Sequence, residues 1–439
     1  MNTNPYLASV QKDLNLYKQE KVLVVGIKNV SDELFYYQLT EIKSLCEACG
    51  YLIEETITQN IDTPNSRTFI GSGKLQEIKA IIEMDNIEKV IFNAELTPAQ
   101  IKNISEVLDN VEVIDRTMLI LEIFEKRATS KEAILQVEIA KMKYLMPRLI
   151  GSRKYLSRTT SSASASNRGA GETQLELDRR HIQNKINQME QELIELKKQR
   201  QTTRKLRQSN EVKTIAFVGY TNAGKSSTIN AILNMFGEEN LEKEVYVENM
   251  LFATLETQTR KIKLPNKHQF LITDTVGFVS NLPHHLVESF KSTLEEIKEA
   301  SLIVHIVDAS SPFKNLQYKT TQEVLSSLDI LDIPTITVLN KCDLVSNSYF
   351  LGDFIGDIEI SAKFKEGIRT LVNRIDEILF NDVYLDKLLI PFDKGGIVSM
   401  LKDKCEVLDL SYTVDGVIVT VKLDQKLHNM LSEYIIKQA

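Results

Sequence analysis

Cysteine, proline and glycine are scarce in this chain: 4, 9 and 17 among 439 residues. Four cysteines without a spaced framework exclude a disulfide-stapled secreted scaffold. So little glycine and proline excludes a collagen-like or low-complexity chain and leaves no room for long flexible linkers. No run of ~18 apolar residues occurs, so no membrane-spanning helix is expected. Residues 1–20 are polar and hold no apolar signal core; the expected location is the cytoplasm. What is present is ordinary for a soluble protein, 43 % hydrophobic and 26 % charged. On the usual prior of ~150 residues per domain the length suggests about three.

The net charge of −7 names no nucleic-acid partner, but it is unevenly spread. Residues 139–213 hold 17 Lys/Arg against 7 Asp/Glu, a net of +10, so the remainder carries −17. A polyanion would bind at that basic segment.

The first third alternates strand and helix. KVLVVGI (21–27), YLIEETIT (51–58), KVIFNAEL (89–96) and VEVID (111–115) read as strands. Ser31–Cys49, with Ser31 as N-cap, Lys74–Glu83 and Thr97–Leu108 read as helices. This predicts an α/β domain with a largely parallel sheet over residues 1–130. Over residues 131–210 the pattern changes. Leu135, Ile139, Met142, Met146 and Leu149 follow a 4-3-4-3 spacing, as do Ile182, Ile186, Met189, Leu193 and Leu196. That is the seam of a two-helix coiled coil. Between the runs, residues 150–171 are rich in Ser, Gly and Arg and cannot be helical throughout. The expectation is an antiparallel hairpin with a basic tip, with arms of about 22 residues reaching ~33 Å. Arg148, Arg153, Lys154, Arg158 and Arg168 are the candidates to neutralise RNA phosphates.

Over residues 211–379 alternation resumes, with strands TIAFVGY (214–220), KIKLP (261–265), QFLITDT (269–275), SLIVHIVDA (301–309) and PTITVLN (334–340). Residues 380–439 read as a small α/β appendage, with a helix GIVSMLKDK (396–404), a strand GVIVTVKL (416–423) and a final helix.

The strand at 214–219 runs into Gly219-Tyr220-Thr221-Asn222-Ala223-Gly224-Lys225-Ser226, with a helical SSTINAILNMF following. This is a complete GxxxxGK[ST] in strand–helix context. Its backbone amides converge on phosphate, the helix N-terminus adds its dipole, Lys225 neutralises β/γ charge and Ser226 offers a hydroxyl to Mg²⁺. Asp274-Thr275-Val276-Gly277 follows a strand about 50 residues later. Such an Asp holds Mg²⁺ through water, and the Gly amide meets a γ-phosphate. Asn340-Lys341-Cys342-Asp343 closes a further strand. Its carboxylate accepts from N1–H and N2–H₂ of guanine, a donor pair adenine lacks. Ser361-Ala362-Lys363 is placed to give a backbone amide to guanine O6.

In this order the four elements resemble the translation-factor-related GTPases. Leu251-Phe252-Ala253-Thr254-Leu255 looks like switch I of the Obg–HflX group, with Thr254 as second Mg²⁺ ligand; Thr257 and Thr259 are the alternatives. Segments outside this domain extend the resemblance: FIGSGKLQEI (69–78), the Asp115-Arg116-Thr117 turn, LQVEIAKMKYLMPRL (135–149), LSR (156–158), RGAGETQLELDRR (168–180) and IPFDKGGIVSML (390–401) are similar to segments of the HflX family. The resemblance implies a P-loop GTPase domain of Ras-like fold between the other α/β parts. It implies contacts to nucleotide from residues 219–226 and Ser227, from Phe252, Ala253, Thr254, Leu255 and Glu256, and from the three later motifs. Lys225, Thr254, Asp274 and Gly277 would carry catalysis. It further implies a GTP hydrolase that binds the large ribosomal subunit and its rRNA, as a monomer, and separates stalled or idle ribosomes into subunits.

Three departures stand out. The tip loop, Thr159 to Glu172, has lost several of the family's glycines and its proline. Switch I reads ATLETQTR where ATLDPTTR is usual. Phe278 follows Gly277, where many small GTPases have a water-positioning Gln. Asn222 matches an asparagine that coordinates K⁺ in some GTPases lacking that Gln, which makes K⁺ a candidate second cation. Gly71-Ser72-Gly73-Lys74 mimics half a phosphate loop but reads as a helix-start turn, although relatives have been credited with ATP use through this domain. Cys46 and Cys49 form a CxxC without a second pair and read as packing residues. His284 and His285 read as a solvated switch loop. Two other functions stay open: a GTPase gating an RNA-modification partner, and a protein-interaction switch working through the coiled coil.

Overall fold

A computed structural model describes residues 19–109, 111–149, 174–209, 212–237, 251–252, 258–280, 297–328, 330, 332–345, 354, 356–381 and 383–436. The chain divides into two compact units. One comprises Met1–Thr202, Glu248–Leu255 and Asn281–Phe290, the other Thr203–Val247, Glu256–Ser280 and Lys291–Ala439. The expected boundaries near 130 and 379 fall inside these units.

In the first unit four parallel strands lie in the order β2-β1-β3-β4: β1 (Lys21–Lys28), β2 (Leu52–Asn60), β3 (Lys89–Phe92) and β4 (Glu112–Asp115). β1 is central and its run Val22–Ile27 is buried throughout, as a parallel strand covered on both faces must be. The strand expected over 89–96 stops at Phe92. The helices are α1 (Asp32–Ala48), α2 (Ser72–Asp85) and α3 (Pro98–Leu108). Thr97 and Gln100 form a reciprocal capping box that starts α3. Ser31 precedes α1 but makes no side-chain cap bond. Phe92 and Leu75 sit in a shared core with Leu23, Ile78 and Ile104; truncating Phe92 to Ala would cost about 3–5 kcal/mol.

A helix absent from the sequence reading follows directly. α4 (Arg116–Arg127) begins where a turn was expected, with the Asp115 carboxylate accepting from the Met118 amide at 2.9 Å. Every residue from Arg116 to Phe124 is buried. A helix wrapped on all sides shows no 3.6-residue stripe, so its signal is lost.

The seam does form. Leu135, Ile139, Ile186 and Met189 are buried together, with Met142, Met146, Ile182, Leu193 and Leu196 packed on them. Ion pairs Lys131–Glu192 and Lys143–Glu190 bridge the arms. The arms are unequal, which corrects the expected length. α5 (Lys131–Leu145) has 15 residues and gives way at Pro147 to a 3-10 turn over Met146–Leu149, because proline has no N–H to continue the ladder. α6 (Gln174–Ser209) has 36 residues, ~54 Å of helix.

The second unit holds a six-stranded sheet of order β10-β9-β8-β5-β7-β6: β5 (Lys213–Gly219), β6 (Gln258–Lys263), β7 (Gln269–Asp274), β8 (Leu302–Asp308), β9 (Thr335–Asn340) and β10 (Ile358–Glu359). All neighbours are parallel except β6 on β7. Helices α7 (Lys225–Phe236), α8 (Lys314–Ser327) and α9 (Ile368–Leu379) accompany it. α9 buries Ile368, Leu371, Val372, Ile375 and Leu379, a single 3.6-period stripe. The tail is a three-stranded antiparallel sheet, β11 (Val383–Ile390), β12 (Glu406–Tyr412) and β13 (Val417–Asp424), in the order β11-β13-β12, with α10 (Gly395–Lys404) and the short α11 (Gln425–Met430). Of these three strands only β13 was expected, whereas α10 falls on the expected helix 396–404. Among the described residues no helix is long and apolar enough to cross a membrane.

Candidate functional site

Parallel strands in an open α/β sheet present their carboxyl ends as a crevice for ligands. Here the three later motifs and the phosphate loop all leave from that edge: Gly219 ends β5, Asp274 ends β7, Asn340 ends β9, and Ser361 lies two residues beyond β10.

The loop 219–224 turns sharply. Asn222 adopts φ +59° and Gly224 φ +95°. A Cβ on Gly224 would stand 2.1 Å from Asn340 Nδ2, so only glycine fits there. Asn340 uses that amide nitrogen to donate to the Ala223 carbonyl at 2.9 Å, and its Oδ1 accepts from the Ala362 amide at 3.0 Å. One side chain thus ties the phosphate loop to the 361–363 loop. The Ser361 hydroxyl donates to Asp343 Oδ1 at 2.6 Å, and Lys341 pairs with Asp308 at 2.7 Å. The Cys342 amide donates to the Ile360 carbonyl. Lys363 lies over the exposed Phe364 ring.

Lys225 opens α7. Its ammonium is buried and donates to the carbonyls of Gly219 and Tyr220 at 3.2 and 3.1 Å. Burial pulls its pKa down to about 8, with Asp274 opposing part of that. Ser226 donates to Asp274 Oδ2 at 2.6 Å; Ser227 follows half-buried on the same turn. Asp274 is wholly buried and Thr275 donates to the Phe217 carbonyl at 2.6 Å. Val276 is also buried. Gly277 passes so close to the loop that a Cβ would lie 2.7 Å from Thr221 Cγ2 and 3.0 Å from Lys225 Nζ. A hydroxyl and a carboxylate at hydrogen-bond distance form a hard-oxygen donor set, the kind Mg²⁺ selects.

Two further ties were not legible in the sequence. Phe278 is 2 % exposed, and its backbone bridges the phosphate loop: the Thr221 amide donates to the Phe278 carbonyl at 2.7 Å, and the Phe278 amide to Gly219 at 3.2 Å. Tyr220 and Ser280 share a 2.6 Å hydroxyl contact, and the Ser280 amide donates to the Tyr220 oxygen at 2.6 Å. Behind the loop, His305 on β8 is buried and stacks on Tyr318 at 4.7 Å. Burial pushes its imidazole down to about 3, with the Lys225 charge adding to the effect. No local motif signals pairs that lie 60 residues apart.

Other expectations divide as follows. Phe252 belongs to the first unit, where it is 2 % exposed, holds φ +55° and meets Phe124 edge-on at 4.7 Å. Ala253, Thr254, Leu255, Glu256 and Thr257 lie outside the described residues. Thr259 sits on β6 with its hydroxyl 3.3 Å from that of Thr273. Arg153, Lys154, Arg158 and Arg168 at the tip, and His284 and His285, also lie outside the described residues. Arg148, expected to meet phosphate, has a side chain 12 % exposed whose fork donates inside the fold to the carbonyls of Tyr144 and Leu96. Gly71 is the N-cap of α2 and its amide donates to Gln59 at 2.9 Å. Cys46 and Cys49 are buried, and burial pushes both thiols up, Cys49 to about 12.

Family models match almost the whole of residues 36–341: a GTP-binding GTPase N-terminal region over 36–125, a GTP-binding GTPase middle region over 127–207 and a 50S ribosome-binding GTPase over 214–341. Among curated proteins, the chain is 40 % identical to GTPase HflX of Caldanaerobacter subterraneus, covering 99 % of this chain and 98 % of that one. It is 37 % identical to GTPase HflX of Lacrimispora saccharolytica (94 % and 96 % covered) and 36 % identical to that of Alkalihalophilus pseudofirmus (98 % and 100 %). Among solved structures, a GTP-binding protein from the archaeon Sulfolobus solfataricus in complex with GDP is 24 % identical, with TM-score 0.43 over 82 % of this chain and 99 % of that one.

Proposed function

The chain belongs to the HflX family of GTPases, and on that premise we propose that it binds the large ribosomal subunit in the cytoplasm and separates stalled or idle ribosomes into subunits, in step with GTP binding and hydrolysis. The observation that carries this reading is the long helical hairpin. Its buried seam stiffens two arms, one of them 36 residues long, and residues 139–213 around it hold the +10 excess in an acidic protein. A rigid basic arm in the same chain as a nucleotide switch suits insertion into folded RNA.

Residues at the carboxyl edge of the six-stranded sheet recognise the nucleotide. Asp343 reads the guanine N1–H and N2–H₂, the 361–363 segment gives a backbone amide to O6, and backbone amides of the phosphate loop cradle the phosphates. Lys225, already buried, needs no reorganisation to meet the β/γ oxygens. Ser226 and Thr254 would hold Mg²⁺, with Asp274 acting through water; when bound, that ion neutralises charge on the β- and γ-phosphates. Asn222 would hold K⁺. Gly277, pressed against Thr221, senses the γ-phosphate through its amide.

The test is sedimentation of the protein, loaded with a non-hydrolysable GTP analogue, with large subunits across a salt series. Arg153→Glu combined with Lys154→Glu should weaken docking and lower the salt slope by roughly 0.7–0.9 per lost phosphate contact. A double variant that binds like wild type at every salt reduces the basic segment to a solvated linker.

A further inference from the structure

Where the first arm ends, three side chains are knotted together. Asp115 closes β4 and is 1 % exposed. Its Oδ1 accepts from the Met118 amide at 2.9 Å; its Oδ2 accepts from the Leu96 amide at 3.0 Å and from the Tyr144 hydroxyl. Tyr144 sits, buried, on the last turn of α5. The Arg148 guanidinium lies 3.4 Å from the centre of the Tyr144 ring. It donates to the carbonyls of Tyr144 and Leu96, each at 2.9 Å, and stands 3.8 Å from both Asp115 and Glu95.

The knot therefore joins three pieces of chain: the end of β4, the segment leading into α3, and the last turn of α5, at the far end of the first arm from Lys131. A buried carboxylate is expensive unless its lone pairs are met, and here donors from Leu96, Met118 and Tyr144 meet them. Such bonds are directional. They fix an angle, where an apolar contact would allow rolling. The chemistry also selects arginine over lysine, since only a planar fork can stack on a ring while donating to two carbonyls. The chain joins α5 to α4 at one end, the knot ties its other end to the α/β domain, and α6, seated on α5 through the seam, is held with it.

We propose that Asp115, Tyr144 and Arg148 are positioning residues that fix the direction of the arm on the α/β domain, and that docking on RNA requires that direction. The second half rests on the ribosome reading above. Arg148→Lys separates the two roles open to this cation. It keeps the charge, so a phosphate contact would survive it. It loses the fork and the stack, so the knot would not.

The experiment uses the full-length chain with nitroxide labels at Met84→Cys and Leu177→Cys, both exposed positions of the first unit, in a Cys342→Ser background because the other three cysteines are buried. Electron–electron distance measurements are made on this protein and on its Arg148→Lys and Tyr144→Phe variants. Far-UV circular dichroism matching that of the labelled parent reports that each variant has folded. In parallel, each protein is sedimented with large subunits across a salt series. The expected result is a broadened distance distribution in both variants, with docking about tenfold weaker and an unchanged salt slope. An unchanged distribution in both overturns the knot. A broadened distribution with wild-type docking overturns the link from direction to docking. If Arg148→Ala lowers the salt slope by ~0.7–0.9 while the distances stay narrow, Arg148 is a phosphate contact and the proposal falls. Failure of the ribosome reading is seen separately, as the unsubstituted protein not sedimenting with large subunits at any salt.

Discussion

The Lys225 ammonium donates to the Tyr220 carbonyl at 3.1 Å, held there by the loop it serves. Burial has drawn its pKa down to about 8. A triphosphate beside it restores the preference for the charged form. Below pH 8 the free protein already carries the proton and binding takes up little. Above pH 8 the free amine is neutral and must be protonated to bind. GDP affinity should thus be level from pH 6.5 to 7.5 and fall toward tenfold per pH unit above about 8. Titration calorimetry in buffers of different ionisation enthalpy checks it: proton uptake should rise toward one per nucleotide by pH 9. Uptake of zero at pH 9 would mean that Lys225 stays charged in the free protein.

Asp343 accepts from Ser361 on one oxygen at 2.6 Å, which orients the carboxylate beside the loop whose Ala362 amide is pinned by Asn340. Asp343→Asn turns one acceptor into a donor facing guanine N1–H or N2–H₂. Discrimination for GTP over ATP should drop by at least ~10⁴-fold. Fluorescent-nucleotide titration is the measurement, and unchanged GTP affinity would remove Asp343 from base recognition.

What the sequence made legible follows from local rules. The phosphate loop was readable because its glycines, Lys225 and Ser226 are contiguous and bracketed by strand and helix. The seam was readable because burial on one side of a helix leaves a period, and Leu135 to Leu196 kept it. α4 was not, since every residue from Arg116 to Phe124 is buried, Thr117 and Glu122 included, and a helix covered all round leaves no apolar stripe. β11 and β12 were missed for the opposite reason. β12 leaves Leu408 and Tyr412 half or more exposed, so its alternation of inward and outward residues is blurred. The contacts of Arg148 were hidden for a third reason: composition counts charge, but only geometry reveals that its fork is used within the fold. The link from Phe278 to the phosphate loop is backbone pairing, to which side-chain identity gives no clue.

His305 provides a pH handle on stability. Its imidazole is pushed down to about 3 in the folded chain, against ~6.5 when unfolded. Above pH 6.5 both states are neutral and the full stability is present. As pH falls below 6.5 the unfolded chain takes a proton that the folded chain refuses, so stability is lost progressively down to the folded value. The loss should be about 2 kcal/mol by pH 5. His305→Phe, which keeps a ring against Tyr318, should lose less over the same interval. Urea unfolding of both proteins at pH 7 and pH 5 measures the difference; equal losses would show that His305 does not titrate on unfolding in this range.

Phe278 stands where a glutamine would position water in many GTPases, and the obvious experiment is to restore it. The geometry argues that this fails. The side chain is 2 % exposed, and the backbone on either side is fastened to the loop by the Thr221 and Phe278 amides. A glutamine here would inherit the buried rotamer, not a place beside the γ-phosphate. Its amide would lack partners in the core and cost about 1–3 kcal/mol, with the lost ring contacts adding to that. Phe278→Gln should therefore lower the unfolding free energy by about 2–4 kcal/mol and leave hydrolysis by the free protein in the slow range of ~10⁻⁴–10⁻² s⁻¹. Phe278→Leu, which keeps an apolar side chain in that place, should hydrolyse at the wild-type rate with a smaller loss of stability. Single-turnover hydrolysis at saturating protein, beside urea unfolding, separates the two effects. A rise of tenfold or more in Phe278→Gln would mean that the side chain swings out to the phosphates, and that the bridge from Gly219 to Phe278 opens when GTP is bound.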